Sequence, residues 1–295
     1  MMMVCYWMIV TLMLGIAQIH NWLPFVPAAL DRLIDVRNEP GWFTQGFLWL
    51  LSSVLFFLII TGLTVAARQH AERALRHSRE LIRRYVPPAV ANRIIAGEEA
   101  QIDTPQRQRL TVFFSDVVGF TDIADRVEPE VITQVINEYL SAMSKIVDDH
   151  DGTLNEFSGD GIMALFGAPE NMEPGKQVHQ AVDMALAMQR DMARLNENWR
   201  ELGLGEELQV RMGINTGMLS VGSFGSQGRM TYTAIGLQTN VTARIQAQCQ
   251  PGEILLSDAS WQLIRGDVRC TPKGEIEVKG VHFPIKVYEV ESMDR

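Results

Sequence analysis

Two aspartates stand in similar frames. The first frame is Leu110-Thr111-Val112-Phe113-Phe114-Ser115-Asp116-Val117-Val118-Gly119-Phe120-Thr121, and the second is Asn155-Glu156-Phe157-Ser158-Gly159-Asp160-Gly161-Ile162-Met163-Ala164. Each aspartate lies beside a β-branched or aromatic run and next to a turn residue. A carboxylate at a strand end, freed by a glycine turn, is placed to hold a hard divalent cation. Two such carboxylates on neighbouring strands can hold two cations about 3.5–4 Å apart, an arrangement that serves in-line displacement at phosphorus. Singly, Asp116 reads as a turn residue ahead of Gly119 and Asp160 as a hairpin aspartate. The paired frames favour the metal role.

The elements that must position these residues follow from the rest of the chain. Its 295 residues allow one catalytic domain and something smaller. A net charge of −9 argues against a nucleic-acid-binding surface. Three scattered cysteines, Cys5, Cys249 and Cys270, make neither a disulfide framework nor a zinc site. They suit a reducing compartment.

Residues 1–67 read as a membrane anchor. Residues 47–67 form an uncharged run long enough to cross a hydrocarbon core of about 30 Å. Residues 1–20 form a second apolar run that lacks the basic start of a signal peptide, so a first membrane helix is expected there. Arg68, Arg73, Arg76, Arg79, Arg83 and Arg84 follow the second run and would stay cytoplasmic. The expectation is a multi-pass protein of the inner or plasma membrane, lipid around its anchor, both termini cytoplasmic and residues 20–40 outside.

Residues 68–107 read as a linker and signalling helix. Ala71, Leu75, Ser78, Ile82 and Tyr85 make a short seam, suited either to a parallel two-helix contact or to packing on the domain. Pro87-Pro88 ends that helix. A further short helix is expected at 89–96 and a polar link at 97–108. Beyond residue 109 the pattern is α/β. Strands are expected at 110–115, 153–157, 161–166, 208–214, 218–223, 229–234, 253–256, 275–279 and 285–290. Helices are expected at 129–149, 176–200, 237–248 and 258–264. In the second of these helices Val178, Ala181, Val182, Ala185, Met188, Met192 and Leu195 share one stripe, with the methionines as core filler.

These residues carry a resemblance. Phe113–Thr121 resembles the first metal motif of the class III nucleotidyl cyclases, and Phe157–Pro169 the second. Val210–Gly217 resembles the strand before the dimerisation arm, Tyr232–Arg244 the stretch that positions ribose and triphosphate, and Val278-Lys279-Gly280 the terminal phosphate lysine. The match runs in order over residues 108–291. It implies an α+β fold, a ferredoxin-like, palm-type βαββαβ sheet with helices on one face. It also implies a head-to-tail homodimer with shared active sites. The implied reaction converts a purine nucleoside triphosphate to a 3′,5′-cyclic nucleotide and pyrophosphate, with two Mg2+ (or Mn2+) per site.

The resemblance carries roles residue by residue. Asp116 and Asp160, with the backbone of Val117, would hold the metals. The backbone of Gly119, Phe120 and Thr121 would cradle phosphate, as helix starts do. Asn240 would fix the ribose, and Arg244, four residues on along the same face, would neutralise the transition state. Arg211 and Lys279 would hold the outer phosphates. The metal aspartates would come from one subunit, and the base, ribose and α-phosphate contacts from the other.

Glu156 and Thr233 are the expected base-reading positions, and they disagree. Glu156 only accepts hydrogen bonds when ionised, which suits guanine N1–H and its amine and matches the guanylyl members. Thr233 resembles bacterial adenylyl members. ATP is taken as the substrate, with GTP the alternative that Glu156 suggests. A non-catalytic dimerising member would be expected to lose Asp116, Asp160, Asn240 or Arg244, and none is lost. A diguanylate cyclase would need a Gly-Gly-acidic-Glu-Phe hairpin where this chain has Ser158-Gly159-Asp160-Gly161. A polymerase would need a basic template channel.

Overall fold

The computed structural model describes residues 41–226, 228–281 and 283–293. The chain divides into two units, 1–77 and 78–295. The expected first membrane helix at 1–20 lies outside the described residues. The expected second span falls within helix α1, Gly41–Tyr85. Among the described residues, one helix, Ser53–Glu80, is long and apolar enough to cross a membrane, and none of its most apolar stretch is buried. Leu51, Val54, Leu55, Phe56, Leu58, Ile59 and Leu63 are exposed. A helix that is apolar around its circumference suits lipid rather than water.

α1 ends just before Pro87-Pro88, where the missing N–H and the proline ring forbid another helical turn. Helix α2, Pro88–Ala96, starts on that proline and closes on Gly97, whose φ of 81° is the left-handed cap. The expected polar link instead holds a short helix α3, Glu99–Asp103. Its Ile102 is 3 % exposed. A single apolar residue gives no periodicity to read.

The sheet begins with β1, Gln106–Val117. Then come α4, Phe120–Ala124, and α5, Pro129–Asp149. The hairpin β2, Thr153–Ser158, and β3, Gly161–Phe166, follows, then α6, Pro174–Glu201. β4 is Val210–Ser226, β5 Arg229–Ile235, α7 Leu237–Gln248 and β6 Ile254–Ser257. The chain closes with α8, Asp258–Ile264, β7, Val268–Ile276, and β8, Ile285–Met293. The first four strands and their helices read β-α-β-β-α-β, and the sheet order is β2-β3-β1-β4-β6-β8-β7, with β5 paired to β4. β1 is third in that order, antiparallel to both β3 and β4.

Alternation along β1 and β4 sorts the two faces. Phe113, Val117, Met212 and Ile214 pack with α5, α6 and α8 around Tyr139, Met188 and Trp199. All seven stripe residues of α6 are buried there. Fully burying each of its Val, Met and Leu side chains contributes roughly 1.5–3 kcal/mol. The helices α5 and α6 of the β-α-β-β-α-β unit thus share one face, as the resemblance implied, while the other face is covered by later elements. β5 covers Leu110, Val112, Met163 and Leu165 through Tyr232 and Ala234. α7 sits over Leu255 and Val287 through Val241, Ile245 and Cys249.

Two expected strands, 208–214 and 218–223, are one long strand. Asn215-Thr216-Gly217 looks like a turn but stays extended because each residue has a neighbour. Asn215 donates to the Gln238 carbonyl of α7, and the Thr216 hydroxyl meets those of Thr111 and Ser260. A Cβ on Gly217 would come 2.5 Å from Gln238 Cγ. The glycine marks close approach of a helix, not a bend. β7 begins earlier than expected. Its register shifts around Pro272 and Gly274, which an edge strand tolerates.

Candidate active site

Asp116 is the eleventh residue of β1 and stands opposite Arg211 of β4 in the sheet register. Arg211 Nη2 donates to Asp116 Oδ2 at 2.6 Å, and both side chains are about one-third exposed. Asp160 occupies the two-residue turn between β2 and β3, after Gly159 at a φ of 65°. A glycine at the first turn position is what a tight hairpin favours. The Val117 N–H donates to Asp160 Oδ2 at 3.0 Å, tying the hairpin to the end of β1. Gly161 lets the strands close. A Cβ there would lie 3.2 Å from the Ser115 and Ser158 carbonyls and 3.9 Å from Asp116 Oδ1.

Electrostatics sets this pair apart. Partial burial raises the Asp160 pKa, and the neighbouring Asp116 charge raises it further, against the backbone N–H bonds that lower it. Beneath them the Tyr139 hydroxyl of α5 is buried, and its pKa is pushed up by burial and then by the two aspartates. Two partly exposed carboxylates that repel each other fit a divalent cation, whose charge would relieve the repulsion. Among the described residues no group of three or more His, Cys, Asp or Glu could enclose a metal on its own. Sequence reasoning did not find Tyr139. On α5 it falls in the apolar stripe and reads as ordinary core.

After β1 the chain turns through Gly119, φ 69°, into α4. Phe120 packs on the core, Gly119 and Thr121 are exposed, and no side chain caps the helix start. Its first N–H groups therefore have no side-chain capping partner.

The remaining expected residues lie elsewhere on the chain. Asn240 and Arg244 share the exposed face of α7, while Val241, Thr242 and Ile245 are its buried face. Lys279 is exposed in the turn after β7, between buried Val278 and Gly280, which sits by Leu237 of α7. Among the described residues no hydrogen bond or ion pair joins Asn240, Arg244 or Lys279 to either aspartate. Thus one group gathers Asp116, Asp160, Val117 and Arg211, and a second gathers Asn240, Arg244 and Lys279 around α7.

Of the two expected base-reading positions, Thr233 is held by Asn155, the chain neighbour of Glu156, to which the sequence reading gave no role. Glu156 is exposed on β2, and Thr233 is half-buried on β5. Asn155 Nδ2 donates to Thr233 Oγ1 at 3.1 Å. The β2–β3 register shifts between Leu154 and Glu156, so the side-chain alternation there cannot be counted off from a regular strand. The only signal in the sequence was that Asn155 precedes Glu156.

Comparisons with known proteins agree with this architecture. The profile described as the adenylate and guanylate cyclase catalytic domain matches residues 102–292. Adenylate cyclase 1 of Rhizobium meliloti is 31 % identical over 208 residues, covering 70 % of this chain and 31 % of that protein. An adenylate cyclase of Mycobacterium tuberculosis is 29 % identical over 266 residues, covering 85 % of this chain and 57 % of that one. The chain thus spans about a third to somewhat over half of these relatives. Among solved structures, the adenylyl cyclase CyaB of P. aeruginosa is 42 % identical with a TM-score of 0.64, covering 65 % of this chain and 98 % of its own. The guanylyl cyclase Cya2 is 32 % identical with a TM-score of 0.61, covering 64 % and 95 % respectively. On fold, motif order and profile match together, the chain belongs to the adenylate and guanylate cyclase catalytic domain family.

Proposed function

We propose that this chain is a membrane-anchored purine nucleotide cyclase that forms a 3′,5′-cyclic nucleotide and pyrophosphate. The observation that carries the reading is the repelling pair Asp116 and Asp160, brought together by the β1 end and the β2–β3 hairpin. With the Val117 carbonyl they would hold two Mg2+ or Mn2+, the remaining ligands being substrate oxygens. When bound, these ions supply charge neutralisation and acidify the ribose 3′-hydroxyl.

The chain's own groups bind and orient. Backbone N–H groups at Gly119, Phe120 and Thr121 receive phosphate oxygens. Asn240 holds the ribose so that its 3′-oxygen stands in line with the α-phosphorus. Arg244 offers a planar fork to the developing negative charge. Lys279 and Arg211 take the outer phosphates, Arg211 being also the partner of Asp116. Glu156 and Thr233 read the base. The absence, among the described residues, of a hydrogen bond or ion pair from Asn240, Arg244 or Lys279 to either aspartate is in keeping with a homodimer in which each site takes metals from one subunit and Asn240 and Arg244 from the other. The membrane unit, 1–67, would span the bilayer twice, with the linker at 68–107 and the catalytic domain at 108–291 in the cytoplasm.

Purified full-length chain is to be assayed for cyclic nucleotide and pyrophosphate with Mg2+ and with Mn2+, alongside Asp116→Ala. The expected result is turnover that needs a divalent ion and falls by at least about 10³-fold in the variant, a loss of some 4 kcal/mol in barrier terms. An equally active variant would reject the metal assignment.

A further inference from the structure

Thr233 has a hydroxyl that can face a base in either sense, donating its proton or offering lone pairs. Its neighbour narrows that choice by taking one of the two lone pairs and leaving the proton free. Asn155 Nδ2 donates to Thr233 Oγ1 at 3.1 Å and also lies 3.5 Å from Met163 Sδ. One lone pair of Thr233 is thereby occupied, and among the described residues no acceptor takes its proton. Asn155 Oδ1 is buried with no hydrogen-bond partner. Leaving such an acceptor empty carries a cost.

We propose that Asn155 is a specificity-positioning residue that holds Thr233 as a hydrogen-bond donor and makes the base site read guanine. The inference rests on the cyclase reading above. Glu156, one residue along β2, is the acceptor of the pair. Guanine presents an acceptor, O6, next to two donors, N1–H and the 2-amine. A donor at Thr233 and a carboxylate at Glu156 match all three. Adenine presents only one donor, its 6-amine, beside the acceptor N1, and has no 2-amine for the second carboxylate oxygen. A buried polar group left unmatched is the source of strong discrimination. Held this way, Thr233 no longer contradicts Glu156.

The test measures kcat/KM for GTP and for ATP on the full-length chain and on Asn155→Asp and Asn155→Ala. An ionised aspartate can only accept, so it draws the Thr233 proton inward and leaves lone pairs toward the base. The wild-type chain should prefer GTP. In Asn155→Asp the GTP-to-ATP ratio should fall about tenfold or more, and in Asn155→Ala it should relax less. A merely structural role would lower both substrates together and leave the ratio alone. A wild-type preference for ATP, or a ratio unchanged in both variants, would overturn the inference while leaving the cyclase reading intact. Turnover of neither nucleotide by the wild type would sink both.

Discussion

At the scale of single residues, Asp160 is a proposed metal carboxylate whose own surroundings oppose its charge. Its pKa is raised by burial and then by Asp116. The folded state therefore keeps the proton to higher pH than the unfolded state does. In metal-free protein, stability is lost as pH rises from the ordinary carboxylate value through the raised one, and stays lost at neutrality. Asp160→Asn removes that cost and keeps an oxygen for the Val117 N–H. In chelator at neutral pH its melting temperature should rise by about 2–4 °C, the effect of roughly 1 kcal/mol in a domain of this size. The shift should fade as pH falls below the ordinary carboxylate range. Added Mg2+ should reverse the order, because only the wild type gains binding energy. Thermal melts with and without chelator check this, and a variant less stable than wild type in chelator would contradict it.

At the scale of elements, α7 carries Asn240 and Arg244, and two glycines of β4 let it sit down. A Cβ on Gly213 would lie 2.5 Å from the backbone N of Gln246, and backbone cannot turn aside as a side chain can. Gly213→Ala should cost about 1–3 kcal/mol, read as a lower urea midpoint with unchanged slope. Cyclase activity should fall with the displaced helix. An unchanged midpoint would mean that α7 moves freely on the sheet. The same helix shows what the sequence could and could not reveal. The 3.6-residue stripe of α6 and the apolar runs of β1 and β3 were legible because burial imposes a period. The glycines of β4 were not, since a glycine for close approach and a glycine for a turn look alike in one sequence. Asp116 and Asp160 could be read from their frames. Asn155 could not, because its contact with Thr233 depends on a register shift in β2 and on the return of β5 over the sheet.

At the scale of the whole molecule, no hydrogen bond or ion pair among the described residues joins the two groups of proposed site residues, and in the proposed homodimer a second copy unites them. The exposed apolar residues Met218, Met230, Ile235 and Leu237 on β4, β5 and the start of α7 offer surface for that second copy. The membrane helix and the arginines after it would hold two chains in one plane and one orientation. The most direct measurement combines two dead chains. Asp116→Ala and Arg244→Ala are each to be purified alone and then co-expressed with separate tags, and cyclase activity is to be read in the doubly tagged dimer. Each variant alone should be inactive. The doubly tagged dimer should show about half of wild-type activity, because one of its two sites is intact. Activity no higher than that of the single variants, in a dimer shown to be mixed, would contradict the account.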